Sequence, residues 1–144
     1  MRKLIGTLSM VWVFIFTVSA QSINDIWVID YVKIKPGKEK EALYFYEQNW
    51  LPFRENAKRE GFIKSYQLIH IKRQDNSLFD LMLMTEFADS TRFKSMEENF
   101  RGVMSKVRPN GPLFLNELRP KEFMEFVNAA EAVSIVSRQV KSKQ

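Results

Sequence analysis

The stretch FDLMLMTEF, Phe79 to Phe87, constrains the fold more tightly than any other segment of this 144-residue chain. Read as a strand, its odd positions put Phe79, Leu81, Leu83, Thr85 and Phe87 on one face, and its even positions put Met82 and Met84 on the other. A strand with one solvated face alternates apolar and polar residues. This one needs apolar cover on both sides, which places it inside a sheet. WVIDYVKIK, Trp27 to Lys35, has the same property: Val28, Val32 and Ile34 line one face and Trp27, Ile29 and Tyr31 the other. Pro36-Gly37 ends that strand.

From Lys38 to Gly61 the period changes to a helical one. Leu43, Tyr46, Trp50, Phe53 and Ala57 follow at steps of three and four and form one stripe. Pro52 removes the amide that would bond the carbonyl of Gln48, so a kink or break is expected near Leu51. Gly61 suits the helix end. FIKSYQLIHIK, Phe62 to Lys72, reads as a second strand, and its Lys64, His70 and Lys72 mark it as an edge. RQDNS is a hairpin loop leading into the third strand. Asp89, or alternatively Ser90, caps a second helix, whose stripe is Phe93, Met96, Phe100, Val103 or Met104, and Val107. The PNGP segment, Pro109 to Pro112, ends it, and LFLNELRP is a loop or a short strand. Glu122 to Val127 reads as the last strand, and Asn128 as the cap of a final helix over Ala129 to Val140.

Strand, helix, strand, strand, helix, strand is the ferredoxin-like split βαβ order, an α+β fold with a four-stranded antiparallel sheet. Its first and third strands are central, in agreement with the two segments that are apolar on both faces. Two helices cover one side of such a sheet. The other side, with Met82 and Met84, would be an exposed apolar patch on a monomer. A second copy of the same sheet is the simplest cover, which makes the expected assembly a homodimer. The alternative is that LFLNEL and the C-terminal segment fold back over the sheet.

Residues 1–20, MRKLIGTLSMVWVFIFTVSA, have Arg2 and Lys3, then an apolar run, then Val18-Ser19-Ala20. Those are the three parts of a secretory signal peptide, with cleavage before Gln21. The alternative is an uncleaved anchor, but the apolar run is shorter than the ~20 residues that span a bilayer. The expected organisation is therefore a signal peptide at 1–20, a ferredoxin-like domain at 21–128, and a C-terminal helix with a basic tail at 129–144. The expected location is periplasmic or secreted, with no transmembrane span after cleavage. Cleavage takes two of the 22 cations and none of the 17 acids, lowering the formal net charge from +5 to +3. The remaining basic residues are dispersed apart from the tail, where a nucleic-acid binder would cluster them. With no cysteine, the chain has no disulfide, thiol nucleophile or thiolate metal site.

YVKIKPGKEKEALYFYEQNWLPF, followed by GFIKSYQL and FDLMLMTEFADSTRF, resembles the dimeric α+β barrel proteins, in particular small exported members of unknown function. The similar stretch runs from about Trp27 to Phe100. The resemblance implies two sheets packed face to face and a cleft between each sheet and its own helices. Relatives use that cleft for cofactor-free oxygenation, haem degradation, isomerisation or cyclisation, or for no known chemistry. The haem-degrading branch places an Asn, a His and a Trp around its haem. Here the one histidine, His70, falls on an edge strand, and Asn49 and Trp50 are adjacent, so that arrangement is not reproduced.

The candidate catalytic groups are Asp30, Glu86 and His70. Asp30 and Glu86 are acids inside strands read as buried, where an unpartnered carboxylate is costly. Sharing one cavity, they could act as acid and base; otherwise each pairs with a nearby cation or hydroxyl, or lies at a wet sheet end. His70 is a general base or, more simply, a solvated edge residue. Tyr31, Tyr46 and Trp50 bring polar handles to an aromatic wall and are the candidate ligand-binding residues; the plainer reading of such a stripe is core. One histidine and no cysteine make a metal site unexpected, and no cofactor is implied. Three functions follow: a module binding a small apolar or aromatic molecule, a cofactor-independent monooxygenase or isomerase, and a non-catalytic envelope interaction protein.

Overall fold

The structure, a computed structural model, describes residues 25–72 and 77–134. The expected signal peptide, most of the RQDNS turn and the chain beyond Ser134 lie outside the described residues. The first strand, β1, is Ile26–Ile34, and a helical stretch follows. That stretch is α1 (Glu39–Phe45), a π-helical turn (Tyr46–Trp50) and α2 (Leu51–Arg59), with helical backbone angles at both junctions. Next come β2 (Ser65–His70) and β3 (Leu81–Phe87). A short α3 (Ser90–Lys94) and α4 (Met96–Val107) follow, then a 3-10 turn at Leu115–Glu117, α5 (Pro120–Phe123) and β4 (Met124–Val133). The sheet is antiparallel throughout, in the order β2-β3-β1-β4. The two strands with apolar residues on both faces are the central pair.

Local chemistry accounts for most boundaries. Asp89 caps α3, accepting from the Arg92 amide at 2.8 Å. Gly61 takes φ +77° after α2, a left-handed conformation that a β-carbon would strain. Pro52 does not break the helix. The π turn just before it absorbs the change of register, and the Leu51 amide reaches back to the carbonyl of Tyr46. The carbonyl of Gln48, which Pro52 cannot serve, accepts a hydrogen bond from the guanidinium of Arg108 instead.

Three expectations are corrected. The second helix is interrupted at Ser95. The last strand begins at Met124, not Glu122, after the short helix α5; LFLNELRP takes the loop alternative, with one 3-10 turn. The helix expected from Ala129 is strand as far as Val133. Val127, Ala129, Ala130, Ala132 and Val133 suit either state. The antiparallel partner decides, because β1 offers its whole free edge from Ile34 back to Ile26.

Register determines which side chains share a face. Val32 stands opposite Leu81, Asp30 opposite Leu83, Val28 opposite Thr85 and Ile26 opposite Phe87. These positions face the helices. One apolar cluster joins Val32, Ile34, Leu81 and Leu83 to Ala42, Tyr46 and Phe123; a second joins Phe87 to Ala57, Ile63 and Val103. Between the clusters the sheet carries Asp30 and Thr85 instead of hydrocarbon. The other face holds Trp27, Ile29, Tyr31, Met82 and Met84, which belong to neither cluster and remain half-buried among the described residues.

Asp80 fixes the start of β3 against β1. It is 4% exposed, accepts from the Ile34 amide at 2.8 Å and from Lys33 Nζ at 3.2 Å, and its own amide donates to Val32 at 2.8 Å. Asp80→Ala leaves the Ile34 amide without its acceptor. Urea denaturation should show a loss of about 1–3 kcal/mol, with secondary structure retained.

Candidate ligand cleft

Between the helical stretch and α4 lies a cavity of about 460 Å³, within the range of small-molecule sites. Phe45, Trp50 and Phe53 form one wall, and Phe100, Met104 and Val107 another. The loop after α4 closes one end. It is held there by Asn49, whose side-chain amide donates to Leu113 O at 2.8 Å and accepts from Leu113 N at 2.8 Å. The same amide nitrogen also donates to Phe45 O at 2.8 Å, within the interrupted helix. The π turn therefore supplies both the aromatic Trp50 and the clamp for the facing loop.

The polar seam of the sheet lies next to this cavity. Arg54 lines it and is only 9% exposed. Its Nε donates to Thr85 Oγ1 at 2.9 Å, and its guanidinium carbon lies 4.3 Å from the ring centre of Phe100, 4.9 Å from Trp50 and 5.0 Å from Phe53. Ring faces attract the cation and exclude water from it. Burial lowers the Arg54 pKa to about 10 against the opposing pull of Asp30, and Arg54 remains a cation at neutral pH. Asp30 forms no ion pair with it among the described residues, but each feels the other's charge. Burial raises the Asp30 pKa, and Arg54 limits the rise. Tyr46 is driven strongly upward by burial and by the charge of Asp30, so its hydroxyl stays neutral. That hydroxyl donates to Met124 Sδ at 2.9 Å.

The structure separates the residues that the sequence grouped. Tyr46 and Trp50 line the cavity, and Asp30 lies on the same side of the sheet. Glu86 stands opposite Trp27, on the other face, so it cannot share a proton with Asp30. It binds Lys64 at 3.0 Å and the hydroxyl of Ser65; Lys64 also pairs with Asp25, and both acids raise its pKa. Tyr31 is on that outer face too, edge-on to Phe79 at 4.6 Å, and takes no part in the cleft. His70 is exposed at the sheet edge, 3.5 Å from Glu39, beside a separate polar hollow. Arg54 was missed. Its signal was present: it falls four residues after Trp50, a cation within the apolar stripe.

No protein-family profile matches the sequence, and no curated protein sequence matches it. Similar solved structures do exist. HapK from Hahella chejuensis aligns over 81% of this chain and 99% of its own, with 14% identity and a TM-score of 0.48. A dimeric protein of unknown function and ferredoxin-like fold from Bacteroides fragilis aligns over 76% and 94%, with 12% identity and a TM-score of 0.45. A putative antibiotic biosynthesis monooxygenase from Chloroflexus aurantiacus aligns over 81% and 98%, with 12% identity and a TM-score of 0.44. The chain has a ferredoxin-like fold. Its own strand order, with helices after β1 and β3, is sufficient for that statement.

Asp30 makes stability depend on pH in an identifiable direction. Its native pKa lies above the ordinary 3.8, so between those two values the native state binds the proton that the unfolded chain releases. Stability from this group is therefore fully present below 3.8 and is lost as pH rises through the native pKa. Asp30→Asn should remove that component. Denaturant titrations of both proteins across the acid range should show wild type losing stability relative to the variant as pH rises.

Proposed function

We propose that the protein is exported, dimerises through the outer face of its sheet, and holds a small, largely apolar or aromatic molecule in the cavity between the helical stretch and α4, rather than directly on the sheet where the sequence resemblance implied it. The cleft reading rests on one observation: a cavity of about 460 Å³ walled by aromatic side chains, with a buried cation in its lining. The dimer reading is supported by Trp27, Ile29, Tyr31, Met82 and Met84, which lie together on one side of the two central strands outside both core clusters. Export is supported by the signal-like residues 1–20. No helix among the described residues is long and apolar enough to cross a membrane. Native mass spectrometry of gently recovered protein should give twice the mass of a chain beginning at Gln21, with added mass from a retained small molecule. Met84→Lys should convert it to a monomer or an insoluble protein, and a compact wild-type monomer at high concentration would sink the dimer.

A second reading, cofactor-independent oxygenation or isomerisation in the same cleft, is favoured by Asp30. Its pKa is raised by burial and it lies on the helix-facing side of the sheet, outside the cavity lining, so this reading requires the ligand to reach past Arg54 to deliver a proton from a carbon acid or phenol. Trp50 distinguishes a cleft from a mere core. Binding of small aromatic acids or phenols should alter its fluorescence, measured in a Trp27→Phe background. Trp50→Phe should weaken that binding while leaving the fold nearly intact. Unchanged binding in Trp50→Phe would place Trp50 in the core alone. A broad metabolite screen with neither a fluorescence response nor a thermal shift would favour the envelope interaction protein.

A further inference from the structure

We propose that the cleft selects a flat aromatic monoanion, whose carboxylate docks on the two terminal amino groups of Arg54 while its ring lies among Trp50, Phe53 and Phe100. The inference rests on the cleft-binding reading and names the ligand's chemical class.

Among the described residues, the terminal polar groups of the other side chains in the cavity lining are tied to neighbouring atoms. The Tyr46 hydroxyl donates to Met124, and the amide of Asn49 is shared between Phe45 and Leu113. Arg108 donates through its two terminal groups to Val107 O and Gln48 O, which hold the fork against the backbone, while its Nε is buried without a hydrogen-bond partner among the described residues. Arg54 differs. Its Nε is tied to Thr85, but among the described residues no oxygen accepts from either Nη. The fork is therefore fixed in direction by Thr85 and the three rings, and its two parallel donors remain available.

A desolvated guanidinium with a free fork is a receptor for a planar, two-oxygen acceptor. The remainder of the wall is hydrocarbon and ring, which leaves one polar attachment and favours a rigid apolar body. A phosphate dianion fits less well, because Asp30 already offsets part of the Arg54 charge. The volume accommodates a molecule of one or two fused rings.

Isothermal titration calorimetry with 2-naphthoate and with its neutral isostere 2-naphthamide tests the proposal on the intact protein. The expected result is tighter binding of the acid by about tenfold or more, the scale of a hydrogen bond to a charged group. Arg54→Gln should abolish that preference while amide binding persists, and Arg54→Lys should restore only part of it. Asp30→Asn removes the competing carboxylate and should strengthen binding of the acid without altering that of the amide; it also serves as the second variant if Arg54→Gln fails to fold. Equal binding of acid and amide by wild type overturns the anion selectivity and leaves the cleft reading standing. Failure of both compounds and of the wider aromatic panel overturns the cleft reading with it.

Discussion

The antiparallel pairing of β1 with β3 is the constraint on which the rest of the structure depends. It sets Val32 against Leu81 and Ile26 against Phe87 on the helix side, and Ile29 against Met84 and Tyr31 against Met82 on the other. Shifting the register by one residue would exchange the two faces. Both are apolar, so solvent avoidance alone would not forbid the slip. Asp80 supplies the missing specificity, since its carboxylate meets the Ile34 amide and its own amide meets Val32 in only one register. The helix-side core and the outer patch are consequences of that alignment.

The cleft lies where the long helical stretch departs from regularity, beside the polar seam of the sheet. The π turn at Tyr46–Trp50 shifts the helix just before Pro52, and inserted π turns often mark functional sites. Opposite it, the sheet carries Asp30 and Thr85 between two hydrocarbon clusters. Arg54 spans the gap, held by Thr85 and enclosed by rings. A well-packed leucine there would close the core. The polar seam keeps a cation and an open volume instead, a departure from packing logic of the kind that binding sites require.

Two carboxylates in the central strands have opposite fates. Glu86 lies beside Lys64 and Ser65 and is fully engaged in an ion-pair network with Asp25. Asp30 has no ion pair among the described residues beyond the pull of the Arg54 charge, and burial raises its pKa. The two acids lie on opposite faces of the sheet and do not form a pair. The lone histidine lies at the sheet edge with Glu39, away from Arg54 and Trp50.

Periodicity and turn signals were enough to identify the ferredoxin-like order, the central positions of the first and third strands, and the placement of Tyr46 and Trp50 on the inward stripe, while residue type left the helix cap open between Asp89 and Ser90. These follow from side-chain spacing along one element, which the chain order states directly. Parity within each strand also implied that Asp30 and Glu86 lie on opposite faces, but only once the register joined β1 to β3. The tertiary structure decided the remainder. Ala129 to Val133 became strand because the free edge of β1 paired with them, where intrinsic preference left helix open. Arg54 became the polar centre of the cleft because Thr85 of β3 and Phe100 of α4 meet it alongside its helical neighbours Trp50 and Phe53. Such convergence depends on contacts between residues distant in the chain, and local sequence carries no record of which ones will meet.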